Sequence, residues 1–227
     1  MKEGITESPK HKFTEYDTRQ AWLKGRMRAL GASEVAAAMG CGFCTPQELW
    51  KMKTSDAAFA EEKTNDLIEY GNGAEEHLRA LFALKHKKEF VVDYHPFRVY
   101  QNTDYPWLSC TLDGEILPKI DTMRVGQRGI WECKTAEIHS KSADAEWQGE
   151  HIPQKYYLQV LAQLLVTGFD FAVLNAELRY GDGSASIREY YIERFDVEED
   201  MKEVARQTAE FWKSVEKRER PKVVMTV

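Results

Sequence analysis

The triplet Glu132-Cys133-Lys134, with Asp113-Gly114 nineteen residues before Glu132, holds the residues of this chain whose types and spacing best suit chemistry. Successive side chains on an extended strand alternate, so Glu132 and Lys134 share one face while Cys133 points to the other. The stretch from Trp107 to Gly114 reads as an alternating apolar strand that ends at Asp113 in a glycine turn. Such a strand would deliver a second carboxylate to the end of a neighbour. Two carboxylates and a lysine brought together suit phosphodiester hydrolysis, in which the attacking water must lose a proton and the leaving oxygen must be neutralised beside an anionic phosphate. Carboxylate oxygens select Mg²⁺, with Mn²⁺ as a substitute, over softer cations. Lys134 is the candidate to orient or deprotonate the water, or to stabilise charge in the transition state. The same spacing also arises as a plain ion pair on a strand surface, so the triplet alone does not decide the matter. Asp113 is the preferred first ligand over Glu115, although both are expected to leave one strand end on the same face.

These residues need a scaffold, and the chain supplies one. Thr18 to Arg28 has helical spacing. Ser33 reads as the N-cap of a short apolar helix from Glu34 to Met39 closed by Gly40, and Thr45-Pro46-Gln47-Glu48 as a capping box with proline in the first turn. A long helix is expected from Asn65 to Lys87, interrupted or kinked near Gly71 and Gly73. Strands follow at Phe90 to Tyr100, Trp107 to Thr111 and Gly129 to Lys134, then a helix from Pro153 to Thr167. A hairpin of Phe171 to Tyr180 and Ser186 to Phe195 turns at Gly181-Asp182-Gly183, and Val197 to Lys217 is an amphipathic closing helix. Helices flanking a central mixed β-sheet define an α/β or α+β fold. The length of 227 residues fits one domain, 1–227, with 1–17 as a candidate flexible arm.

Several blocks in order carry a family likeness. Asp113-Gly114 followed by Trp131-Glu132-Cys133-Lys134 resembles the PD-(D/E)xK nuclease signature. Trp22-Leu23-Lys24-Gly25-Arg26 and Gly31-Ala32-Ser33-Glu34-Val35 resemble the opening of the phage lambda exonuclease group, the YqaJ-like viral recombinase nucleases. Tyr70-Gly71-Asn72-Gly73-Ala74-Glu75 resembles that group's glycine-then-glutamate helix, and Tyr156-Tyr157-Leu158-Gln159 its Tyr-x-x-Gln helix. The resemblance spans about residues 20 to 168. It implies a PD-(D/E)xK core and a Mg²⁺-dependent exonuclease of phage-type recombination, one that degrades the 5′ strand of duplex DNA and leaves a 3′ overhang. It also implies a cyclic homotrimer acting on double-stranded DNA ends with a single-strand annealing protein. By the same resemblance Glu75 is a further acidic residue near the metal, and the carbonyl of Cys133 joins Asp113 and Glu132 in the metal shell. Gln159 faces the DNA or the metal, Tyr156 supports the site, and Arg26 and Ser33 hold a 5′-phosphate together with Gln159. Read without it, Arg26 is a surface charge, Ser33 a helix cap, and Gln159 and Gln163 part of a wet helix stripe. An endonuclease or repair nuclease of other polarity, or a DNA-end-binding accessory without turnover, stays open.

Composition bears on these readings. A hydrophobic share of 43% supports a substantial core, and no run approaches a membrane span or the apolar core of a signal peptide, so a cytoplasmic location is expected. The four cysteines are expected as reduced thiols, with Cys110 and Cys133 buried; their positions within strands argue against an iron–sulfur cluster with Cys41 and Cys44. A net charge of −6 runs against phosphate binding unless the charge is segregated. Acidic residues crowd Glu198-Glu199-Asp200, whereas Lys24, Arg26 and Arg28 are expected to cluster near the site.

Overall fold

The computed structural model describes residues 11–55, 65–120 and 122–221. Strand β1 (His11–Glu15) precedes helix α1 (Arg19–Arg26), whose first turn is capped by Thr18 Oγ1 accepting from the Ala21 N–H at 3.2 Å. Strand β2 (Leu30–Gly31), a 3₁₀ turn (Ala32–Glu34) and α2 (Val35–Ala38) lead to α3 (Pro46–Thr54) and α4 (Asp66–Lys85). Then come β3 (Phe90–Asp93), β4 (Arg98–Asn102), β5 (Leu108–Cys110), β6 (Gly114–Pro118) and β7 (Gly129–Ile138). The chain continues through α5 (Lys141–Ala145), α6 (Gln154–Thr167), β8 (Phe171–Tyr180), β9 (Ala185–Glu193), a second 3₁₀ turn (Arg194–Val197) and α7 (Glu198–Glu216). The strands form two mixed sheets among the described residues, one ordered β1-β4-β5-β2 and the other β3-β6-β7-β8-β9. The fold is therefore mixed α+β.

The centre of the larger sheet is the parallel pair β7 and β8, in which Glu132 stands opposite Leu174 and Lys134 opposite Ala176. Both faces of this pair are covered. Ile130 on β7 and Ala172, Leu174 and Leu178 on β8 pack with α6 in one apolar cluster, whereas Trp131, Cys133, Phe171 and Val173 pack beneath Leu78 and Phe82 of α4 in a second. The period of two thus splits β7 between two cores, and Glu132 falls on the α6 side. Helix α7 buries Met201, Val204, Thr208, Phe211 and Val215, a stripe at alternating spacings of three and four that seats it on α6.

Four expectations are corrected. Phe90 to Tyr100 is not one strand: β3 belongs to the larger sheet and β4 to the smaller, and the chain changes sheet through a loop where Pro96 cannot donate a ladder bond and Phe97 takes a φ of 62°. Helix α4 runs unbroken through Gly71 and Gly73, capped by Asn65 Oδ1 accepting from the Ile68 N–H at 2.9 Å. Gly71 serves close approach instead, since a Cβ there would stand 3.2 Å from Thr135 Oγ1. Ser33 does not cap a helix but lies inside the 3₁₀ turn, where the Glu34 carboxylate accepts from the Gly31 N–H at 2.7 Å. His11–Glu15, expected within a loose arm, is a strand paired with β4. The capping box at Thr45 stands as expected, with Thr45 N–H donating to Glu48 Oε2 at 2.8 Å and Thr45 Oγ1 accepting from Glu48 N–H at 3.2 Å.

Candidate active site

Asp113 sits between β5 and β6, at the step where the chain leaves the smaller sheet for the larger one. Its Oδ2 accepts from the main-chain N–H of Cys133 at 2.9 Å, which fixes the carboxylate against β7. Arg79 of α4 donates from one nitrogen to the Asp113 carbonyl and to Glu75 Oε1, each at 2.8 Å, so Glu75 is brought to the same place from another element. Glu132 is 1% exposed and fully engaged: Lys134 and Gln159 both contact Oε1, and Gln163 contacts Oε2. Asp113, Glu132, Lys134, Glu75 and Gln159 line one cavity of about 260 Å³.

Arg26 and Ser33 line the same cavity. Arg26 donates to Ser33 Oγ at 3.3 Å, and its guanidinium lies 4.7 Å from the centre of the Trp22 ring. The turn that carries Ser33 is held from behind by Lys53 of α3, which reaches Glu34 Oε2 at 2.7 Å and the Ala29 carbonyl at 2.9 Å. Lys24 and Arg28, expected to cluster here, are exposed and lie outside the cavity lining. Tyr156 also stands outside it, stacked on Trp147 at 5.5 Å with the Lys134 ammonium 5.7 Å from its ring centre.

Glu115 does not share the face of Asp113. It is buried in its own ion network, accepting from Arg98 at 3.0 Å and from Arg128 and the Tyr100 hydroxyl. The physical reason is that Asp113 precedes β6 while Glu115 lies within it, opposite Ile130. Three further groups were not singled out from the sequence. Arg79 is four residues from Glu75 on one helix, a spacing that carries the signal for their pairing. Tyr94 and His95 reach the cavity from the loop between β3 and β4, and nothing local in the sequence marks them.

Burial raises the Asp113 carboxyl well above the usual carboxylate range, and the neighbouring Glu132 and Glu75 add to this against the opposing pull of Lys134. Burial alone would lower Lys134, but the carboxylates of Glu132 and Asp113 outweigh it and hold the ammonium above its ordinary range. Lys134 is thus a fixed cation in this arrangement. Burial pushes up the Cys133 and Cys110 thiols as well; both are free and buried. Among the described residues no three His, Cys, Asp or Glu side chains form a metal-ligand cluster. A buried carboxylate, Glu132, and a half-buried one, Asp113, beside a main-chain segment still fit Mg²⁺, which commonly takes one or two carboxylates and completes its shell with water and substrate phosphate.

The arrangement of these elements has solved counterparts. The chain superposes with a TM-score of 0.56 on an alkaline exonuclease, LHK-Exo from Laribacter hongkongensis, at 18% identity over 88% of this chain and 96% of that one. The same enzyme in complex with dAMP gives a TM-score of 0.57 at 17% identity, with the same shares covered. A phage related exonuclease from Haemophilus somnus 129PT gives 0.51 at 12% identity, over 84% of this chain and 96% of that one. These likenesses define the class of fold. The family is set by sequence: residues 21–170 match the YqaJ-like viral recombinase domain, and the chain belongs to that family. It is also 27% identical over 196 residues to the uncharacterized protein YqaJ of Bacillus subtilis (strain 168), covering 86% of this chain and 56% of that protein. The chain therefore spans about half the length of that relative.

Proposed function

We propose that this protein is a metal-dependent DNA exonuclease of phage-type homologous recombination, which degrades the 5′ strand of duplex DNA from its end and leaves a 3′ single-stranded overhang. The observation that carries this reading is the sharing of one cavity by an acid–lysine set, Asp113, Glu132 and Lys134, and by a phosphate-gripping pair, Arg26 and Ser33. A guanidinium backed by an aromatic ring and paired with a hydroxyl suits a terminal phosphate, because its planar fork offers two parallel charge-assisted donors.

In this reading Mg²⁺, with Mn²⁺ as a substitute, is held by Asp113, Glu132 and the carbonyl of Cys133. When bound, the cation polarises the scissile phosphate and lowers the pKa of a water. Arg26 and Ser33 set the register of the strand by holding its 5′-phosphate, and the amide of Gln159 reaches the same space from α6. The Lys134 ammonium, kept charged by its carboxylate neighbours, stabilises the negative charge that builds on the phosphate oxygens. Arg79 fixes the main chain at Asp113 and ties Glu75 to it, and Tyr156 supports Lys134 from the side.

The remaining parts of the proposal are a cyclic homotrimer, a single-strand annealing protein as partner, and action in the host cytoplasm. An acidic chain that must stay on a polyanion gains retention from enclosure. Among the described residues no helix is long and apolar enough to cross a membrane. The deciding experiment offers the purified protein a 5′-phosphorylated linear duplex and a covalently closed circle, with Mg²⁺ and with EDTA. Release of nucleotides from the 5′ strand of the linear duplex alone, abolished by EDTA, is the expected result. Cutting of the circle would make it an endonuclease, and end binding without turnover would make it an accessory.

A further inference from the structure

Gln163 is fully buried in the middle of α6, and the positions around it on that helix, Val160, Leu161, Ala162, Leu164, Leu165 and Val166, are buried apolar residues. An amide at such a position is costly unless its polar atoms are paired. Its nitrogen is paired, donating to Glu132 Oε2 and, at 3.4 Å, to the Thr111 carbonyl. Its oxygen is buried and has no partner among the described residues. The reverse orientation would set that oxygen against the Glu132 carboxylate, so the amide is fixed by the charge it faces. An apolar side chain of similar size would fill the same space without an orphaned acceptor. The donor to Glu132 is what the amide supplies and a leucine could not.

The geometry around Glu132 divides its two oxygens. Oε1 is met by Lys134 and Gln159, both of which line the cavity, whereas Oε2 is met by Gln163, which does not. We infer that Gln163 is a positioning residue that holds Oε2 in the protein interior, so that Glu132 presents Oε1 alone to the cavity and acts as a one-oxygen ligand for a divalent cation. This inference rests on the reading of Glu132 as a metal ligand. Gln159 and Gln163 lie four residues apart on one helix face, yet their roles differ. Gln159 lines the cavity, open to an incoming ligand, whereas Gln163 has no access to solvent and is committed to Glu132 and the Thr111 carbonyl. Outer contacts that orient a ligand commonly change metal affinity ten- to a hundredfold when removed.

The test uses the full chain without DNA and reads the free Mn²⁺ signal by electron paramagnetic resonance during titration of the parent, Gln163→Met and Gln163→Leu. Both substitutions keep the approximate volume and remove the donor, and circular dichroism with a cooperative melt identifies which of them is folded; one folded variant suffices. The expected result is Mn²⁺ binding weakened about ten- to a hundredfold, with the Mg²⁺ concentration for half-maximal digestion raised by a similar factor and the rate at saturating Mg²⁺ much less affected. Equal Mn²⁺ affinity in the parent and a folded variant overturns the role of Gln163 while leaving the metal reading intact. A parent that binds no Mn²⁺ overturns the metal reading, and the inference with it.

Discussion

The main-chain N–H of Cys133 donates to Oδ2 of Asp113 at 2.9 Å, and through this bond the residue between the two sheets is locked to the central strand of the larger one. One oxygen of Asp113 is thereby engaged in structure while the residue still lines the cavity. The bond also explains why Asp113 and Glu132, nineteen residues apart, act on each other electrostatically: β7 carries one and holds the other.

Lys134→Ala is expected to lower turnover by about two to four orders of magnitude, the usual scale for a positioned group acting on a developing charge or proton. Binding of duplex ends in Ca²⁺ should persist, since Arg26 and Ser33 are untouched. Single-turnover digestion with a parallel binding assay checks both halves, and normal digestion by the variant would remove Lys134 from the chemistry.

Asp113→Asn is expected to be inactive and, in EDTA near neutral pH, more stable than the parent. The native carboxyl is raised above its ordinary value of 3.8, so the native state holds that proton more tightly than the unfolded chain does. Ionisation therefore costs stability progressively as pH rises from 3.8 towards the native pKa, a loss the asparagine variant escapes. Melting curves of both proteins across that range test this, and parallel pH dependences would refute it.

Glu115→Gln should have the opposite signature. Burial raises the Glu115 carboxyl, but the Tyr100 hydroxyl and Arg128 outweigh it and hold the group below its ordinary 4.5. Its stabilisation is present above pH 4.5 and is lost as pH falls through the lower native pKa. The variant is expected to lose about 3 kcal/mol at neutral pH, the lower end for breaking a buried pair. The lower end applies because Arg98 keeps Glu15 and the Arg128 side chain is 43% exposed. Urea denaturation at several pH values should show a flatter acid limb than the parent's.

Arg26→Ala should digest 5′-phosphorylated and 5′-hydroxyl duplexes at nearly equal rates, where the parent prefers the phosphate by about 10- to 100-fold, the worth of hydrogen bonds to a charged group. Mn²⁺ binding should be unchanged. A variant that retains the full preference would return Arg26 to the status of a surface charge held by Trp22.

Gly129→Ala tests the packing beneath β7. A Cβ at this position would meet the buried Phe171 ring at 2.4 Å, and overpacking of this kind costs about 1–3 kcal/mol. A lower urea midpoint with an unchanged denaturant slope is the expected outcome.

Much of this protein was legible before any fold was seen, wherever the information is local. The capping box at Thr45 and Glu48, the three-and-four stripe of α7 and the shared face of Glu132 and Lys134 each depend on residues within a few positions, and each is present. Residue types at fixed spacings determine caps, periods and faces, because those are set by backbone geometry over one or two turns. The tertiary structure decided what no window of sequence contains. It split Phe90 to Tyr100 between two sheets, placed β6 beside β7 so that Asp113 meets Cys133, and brought Tyr94 and His95 to the cavity, Arg79 to Asp113 and Gln163 to Glu132 from other elements. Which strands become neighbours depends on the joint burial of β7 and β8 between α4 and α6, and that is a property of the whole core.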